Sequence, residues 1–343
     1  MVEFLNRYIS IQKEGSTYGS VGAGGDEVYG EVDDESFQHN YDLLTRQDMS
    51  RQIASKSVTG TEYSEGGLNM ALQVDDFVGN VLAAFFPVTA YGSDTHTFDE
   101  PSTSSHSYNT YTIQVGREQK EHSYTGMVGS RLSMTANVGE YVMLSADFVG
   151  QAEAGTGALQ TATYDGDATD ALYFANGTVL FDDGSGSAPA ASASVKSFSF
   201  EVNLNRDTDN AYALGTRTYN RAPPSQRREI SGTIEFNTVL YGDQSLDEPD
   251  YDALIAADGL SYSDGATDPT ITLYLQDETA DGSTFVKVKF YHVRFEAPTA
   301  SVSGRDTNTM SVGFVGLYDA TASGADKAMK IEMKGGAAGT DTY

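Results

Sequence analysis

HSYTGMVGSRLSMTANVGEYVMLSADFVGQ, residues 122–151, decides how this chain is read. Apolar and polar residues alternate through it, so Leu132, Met134, Val142, Leu144 and Phe148 fall on the packed side of strands whose other side is polar. Glycines punctuate it at intervals that suit bends and hairpins. No nucleophile, base or metal-ligating pattern is present. Its ending returns as TMSVGFVGLYD, 309–319, near the far end of the chain.

The same alternation recurs outward from this stretch. In KSFSFEVNL (196–204) Phe198, Phe200, Val202 and Leu204 share a face. In RREISGTIEFNTVL (227–240) Ile230, Gly232, Ile234 and Phe236 do so, and in PTITLYL (269–275) Ile271, Leu273 and Leu275. These are half-buried antiparallel strands. With 35 Gly and few Leu/Lys/Glu runs, the chain is expected to be all-β with a few short helices. One helix is predicted over VDDFVGNVLAAFF (74–86), with Val74, Phe77, Val78, Val81, Leu82 and Phe85 on a stripe and Pro87 ending it. A shorter one is predicted over EPDYDALIAADG (248–259), with Pro249 at its first position, Tyr251, Leu254 and Ile255 on its apolar stripe, and Gly259 as its cap.

The two halves keep one order: strand, short turn, strand, helix, strand, then a strand group ending in Phe-Val-Gly. Gly60 corresponds to Gly232 in this alignment and Phe148 to Phe314. A repeat of this size suggests a duplicated domain. The expected division is a first unit over 1–153 with an extended N-terminal arm, a Gly/Ala/Asp-rich connection over 154–193, a second unit over 194–334 and a loose tail over 335–343. FANGTVLF (174–181), with its Asn-Gly, predicts a small hairpin inside the connection.

Composition narrows the function classes. The chain has 343 residues and no cysteine, which removes disulfides, thiol nucleophiles and cysteine-bound metals. Its 49 Asp+Glu against 21 Lys+Arg give a net charge of −28, a surface that repels nucleic-acid phosphates. The same balance fits a halophilic origin and equally an ordinary acidic protein. No apolar run approaches the length of a bilayer, and MVEFLNRYIS lacks a signal-peptide core, so a soluble, non-exported chain is expected.

The search for chemistry returns little. His39, His96, His106, His122 and His292 form no ligand pair at metal-site spacing. Asp165, Asp167 and Asp170 lack the glycine and terminal Glu of a calcium loop. GAGGDEVYG (22–30) has no following GK[ST] and carries acids that oppose phosphate. No catalytic, cofactor-binding or metal residue is assigned, and the chain is expected not to be an enzyme.

The order of its phrases resembles the tail tube (major tail) proteins of long-tailed viruses of bacteria and archaea. The phrases are EGSTYGS (14–20), DDES (33–36), DDFVGNVL (75–82), YTGMVGSRL (124–132), SGTIEF (231–236), FEAPTASVSG (295–304) and VGFVGLYD (312–319). The 154–192 segment has no counterpart in that pattern. The resemblance implies two tandem tube-type β-sandwich or barrel domains, each with a flanking helix. It implies a virion tail component, made in the host cytoplasm, that self-assembles into stacked rings conducting DNA without specific binding. Its partners would be copies of itself and other tail proteins, namely tape measure, terminator and baseplate or tip, with no membrane and no cofactor. Simple tube proteins form rings of six, so a duplicated chain implies a trimeric ring with pseudo-sixfold symmetry. No sheath-binding feature is recognisable, which favours the non-contractile kind. The competing reading is a β-sandwich adhesin or carbohydrate-binding module, using Tyr108 with Tyr111 or Tyr212 with Tyr219 in the absence of Trp.

Overall fold

The computed structural model describes residues 7–15, 17–21, 26–92, 95–99, 109–164, 170–182, 190–192, 194–239, 251, 254, 270–276, 284–301, 308–318 and 328–335. The chain starts with β1 (Arg7–Lys13), β2 (Val28–Gly30), β3 (Asp34–Glu35), β4 (Gln38–Arg46) and β5 (Lys56–Ala71). Helix α1 (Asp76–Ala83) follows, then β6 (Val88–Gly92), β7 (Thr95–Asp99), β8 (Tyr111–Arg117), β9 (Lys120–Asn137), β10 (Met143–Gly150) and β11 (Ala152–Gly157). The second half holds β12 (Gly177–Asp182), β13 (Ala190–Ala191), β14 (Val195–Asn203), β15 (Glu229–Phe236), β16 (Thr270–Gln276) and β17 (Phe285–Phe290). It ends with β18 (Val293–Phe295), β19 (Thr299–Ser301), β20 (Thr309–Gly316) and β21 (Met329–Lys334).

The protein is thus all-β with few helices. A 14-stranded sheet runs β18-β20-β15-β14-β9-β10-β5-β3, with β4 beside β5 and β19 beside β20. Strand β9 serves twice. Its first part pairs with β8 and β11, its second with β10 and β14. Gly126, at φ +66, lies where the partners change, a backbone state that suits glycine. A 7-stranded sheet runs β13-β12-β16-β17-β21-β7-β6, so it combines strands from both halves.

Alternation puts one face of each ladder into a shared core. On β10 the buried residues are Leu144, Ala146, Phe148 and Gly150, and on β14 Phe198, Phe200 and Val202. The layers meet through rings: Phe200 and Phe290 at 5.4 Å, Phe181 and Phe236 at 6.1 Å, Phe37 and Tyr124 at 5.8 Å.

The pairing repeats along the chain. Phe148 faces Gly66 across β10–β5, and Phe314 faces Gly232 across β20–β15. The same separation in sequence takes Gly66 to Gly232, Phe148 to Phe314, Leu144 to Met310, Met134 to Ala300 and Gly129 to Phe295, pair for pair. The register therefore puts Gly66, not Gly60, in the place of Gly232. Gly60 lies further out, where β5 pairs with β4.

Two sequence expectations change in detail, and a third falls mostly outside the described residues. Helix α1 is shorter than 74–86, because Asp75 is its N-cap, accepting from the Val78 amide at 2.7 Å. It is buried all round, Gly79 and Asn80 included, so it is a core element, not an amphipathic surface helix. Asn176-Gly177 does not turn a hairpin: Phe174–Asn176 is a 3-10 turn, and Gly177 opens β12, which pairs with β13 and β16. Of the helix expected over 248–259, only Tyr251 and Leu254 are described. Both are helical, Leu254 is buried and Tyr251 packs on the core.

Candidate assembly surfaces

The large sheet has a polar face opposite the core. Ser133 and Thr135 of β9, Ser199 and Glu201 of β14, and Ser231 and Thr233 of β15 line a shallow concavity of about 510 Å³, with Glu296 at one side. Hydroxyls dominate and charges are sparse. Arg131 pairs with Glu201 at 2.5 Å and Lys196 with Glu235 at 2.9 Å. Burial pushes the Asp147 carboxyl up, Arg131 pulls it down less, and Glu201 adds to the rise. Glu65 accepts from Asn40 Nδ2 at 2.8 Å. The face is a smooth polar wall with surplus acid, without a pocket that would grip a ligand.

The two ends of the main strand path have no further strand partner among the described residues. One is β3 with β4, the other β18 with β19. Edges of this kind invite another strand. In the middle of the sheet such a junction is already made. There β9, the strand of the first half that lies innermost in the path, pairs with β14 of the second half, from Ser197 opposite Asn137 to Asn203 opposite Arg131.

Beyond the sheet, β4 and β5 continue as a two-stranded projection. Tyr41, Leu43, Leu44, Met49, Ile53 and Val58 are exposed on it, Met49 and Ile53 almost completely. Apolar side chains gathered this densely on a narrow hairpin differ from the singly scattered ones of an ordinary surface. The segment 204–228, which joins β14 to β15, lies against the base of this projection. The Glu62 amide donates to the Arg217 carbonyl at 2.9 Å, and Tyr63 stacks on Tyr219 at 6.4 Å.

The EGSTYGS phrase is pinned from below. Glu14 is buried, and its carboxylate accepts from the amides of Gly126 (2.6 Å) and Gly19 (3.0 Å) and the hydroxyls of Thr110 (2.8 Å) and Thr112 (3.1 Å). Four donors compensate its desolvation. Tyr18 packs against Gly126, and burial raises its pKa, with Glu14 adding to the shift.

The residues weighed for chemistry are scattered. His39 lies on β4 near Glu62 (3.9 Å), His122 on β9 pairs with Glu153 (2.8 Å), and His96 is buried on β7. His292 precedes β18. His106, Asp165, Asp167 and Tyr108 lie outside the described residues, as do residues 22–25 of GAGGDEVYG, and Asp170 stands alone of its trio. Among the described residues no three His, Cys, Asp or Glu side chains form a metal-holding group, and no helix is long and apolar enough to cross a membrane. Tyr111 is buried, and Tyr219 is buried and packs on Tyr212 at 4.8 Å, so Tyr212 with Tyr219 does not form an open aromatic groove. What the sequence reading lacked was the β4–β5 projection and the β9–β14 junction. The exposed apolar run of the first is visible in DLLTRQDMSRQIASKSV (42–58), while the second leaves no local signal.

A family model described as phage tail tube protein matches residues 8–316. No curated protein matches the chain significantly.

Proposed function

The chain belongs to the phage tail tube protein family, and from that premise we propose that three copies close a ring, each contributing two tube domains, and that rings stack into the channel through which DNA leaves the capsid. The observation that carries the reading is the β9–β14 ladder. It joins the sheet of one half to that of the other while leaving one half-type edge at each end of the sheet. If β18 and β19 of one chain meet β3 and the start of β4 of the next as β9 meets β14, every junction around the ring is alike. Such a heterologous contact closes on itself. The two domains are bounded by β1–β11 and β12–β21. In this division β12 and β13 stand to the second domain as β1 and β2 stand to the first, and the connection shortens to the segment between β11 and β12.

The concave hydroxyl-rich face becomes the lumen. Its acids outnumber its cations, so a passing phosphate backbone is repelled at each level and held at none. The apolar β4–β5 projection supplies the ring-to-ring contact. Other tail proteins meet the ends of the tube, and no step of this role is catalytic. Cryo-electron microscopy of the purified protein tests the reading. Tubes with three chains per ring are expected; rings of six whole chains overturn the trimer, and a stable monomer overturns the tube role, leaving the adhesin alternative.

A further inference from the structure

Inside the chain the junction between the halves includes an insertion as well as a ladder. The turn joining β9 to β10 reaches into the second half: the Val138 amide donates to the Lys196 carbonyl at 3.1 Å, and the Phe174 amide to the Glu140 carbonyl at 3.0 Å. Ala136, Asn137 and Val138 thereby sit over Val179, Val195 and Leu273, and the space left between them is only about 70 Å³.

Among the described residues, the first half carries the same depression with nothing over it. Ile9 faces Val115 across β1–β8 as Val179 faces Leu273 across β12–β16. Val32 stands ahead of β3 as Val195 stands at the start of β14. Ile9, Val32 and Val115 line a groove of about 780 Å³. The lead-in sequences also match, Val2-Glu3-Phe4-Leu5-Asn6 before β1 and Leu172-Tyr173-Phe174-Ala175-Asn176 before β12. A tenfold difference in free volume at two matching sites indicates that one has its occupant and the other awaits it.

We infer that this groove receives the segment between β19 and β20 of a second copy. The separation that takes Met134 to Ala300 and Leu144 to Met310 takes Ala136, Asn137 and Val138 to Val302, Ser303 and Gly304, with the same number of residues between the flanking pairs. Arg117 is paired with Glu35 and Arg7 with Glu118 on the groove rim, so Glu31, Asp33 and Asp34 leave it with surplus acid, and the incoming segment carries Arg305. This docking rests on the ring reading above and adds to it a specific site and its occupant.

The chain has no cysteine, so paired cysteines report the contact directly. Ser197 and Asn137 face each other within the chain, and their counterparts across the ring junction are Asp34 and Ser303. Ser197→Cys with Asn137→Cys is the control; air oxidation over a copper catalyst should link it inside one chain. Asp34→Cys with Ser303→Cys should link neighbouring chains into a covalent ladder that ends at the full ring, because facing strand residues lie within disulfide reach. In assembled tubes, Asp34→Cys alone should react with a maleimide about tenfold slower than in dissociated chains. If tubes form and the control links, yet the Asp34/Ser303 pair stays monomeric and Asp34→Cys labels equally fast in both states, the groove proposal fails. If the unmodified protein forms no tubes by electron microscopy, it is the ring reading that fails.

Discussion

Gly66 stands directly across the β5–β10 ladder from Phe148, and the site needs the missing side chain. A Cβ at 66 would overlap the Phe37 backbone, with its nitrogen at 2.7 Å, while the Phe37 and Phe148 rings meet at 6.1 Å beside it. Gly232 opposite Phe314 is alike: a Cβ there would strike the Phe314 ring and lie 2.5 Å from the Ser199 carbonyl. Gly66→Ala and Gly232→Ala are each expected to cost about 2–3 kcal/mol, as overpacking against backbone does. Urea unfolding followed by circular dichroism measures this. A loss within about 0.5 kcal/mol would mean the sheet opens easily there.

Glu14 makes a second, independent prediction. In either orientation a Gln at this position would turn an amide hydrogen toward the Gly126 or the Gly19 N–H, neither of which can accept, while the Thr hydroxyls could turn to accept. Glu14→Gln is expected to cost about 2–4 kcal/mol and to loosen residues 14–20 from β8 and β9. Proteolysis near the N-terminus should speed up with it. Unchanged stability and unchanged cleavage would show that the carboxylate is dispensable.

Asp147 gives a pH signature. Burial raises its carboxyl pKa in the folded chain, so the folded state holds the proton more tightly than the unfolded one. This favourable contribution is complete below the unfolded pKa and is lost as pH rises through the folded value. Asp147→Asn should therefore raise the melting temperature at neutral pH by about 1–3 °C and leave it nearly unchanged below pH ~3. The reverse order would mean that Arg131 outweighs burial at this site.

Much of this fold was readable in advance, for a physical reason. Phe198, Phe200 and Val202 alternate with polar neighbours because their sheet is packed on one side only, and that period survives in sequence. Asp75 ahead of an apolar run announced α1. Long-range pairing has no such local trace. Nothing in Asn137 or Ser197 says that they face each other, and the three-residue apolar core of β12 is too short to show a period. Asn176-Gly177 misleads because Asn176 spends its side-chain oxygen on the Tyr173 amide, at 2.9 Å, closing a 3-10 turn instead of a hairpin.

The apolar projection separates ring closure from stacking. Leu44 packs beside Gly60 but is largely exposed, as is Leu43, and neither belongs to the core. The double variant Leu43→Asp, Leu44→Asp should fold with a melting temperature within about 2 °C of the parent. It should still close rings, since β18, β19, β3 and the part of β4 before Leu43 are untouched, yet leave them unstacked. Negative-stain microscopy would then show short rings in place of tubes. Tubes of normal length would remove the projection from the ring-to-ring contact.

Salt dependence follows from the charge of the whole chain and is the last prediction. A net charge of −28 on each copy makes every added copy repel the growing tube, and the lumen acids of neighbours approach one another when a ring closes. At molar salt the screening length falls to about 3 Å, so this repulsion vanishes while apolar contacts at Leu43 and Leu44 strengthen. Tubes should therefore form readily in molar salt and shed rings on dilution to low ionic strength, a change light scattering follows in real time. The two long-range terms act in the same direction, so indifference to salt across that range would count against both the acidic lumen and the halophilic origin. Loss of tubes at low salt with rings left intact would assign the repulsion to stacking. Loss of both together would assign it to the junction between β18, β19 and β4.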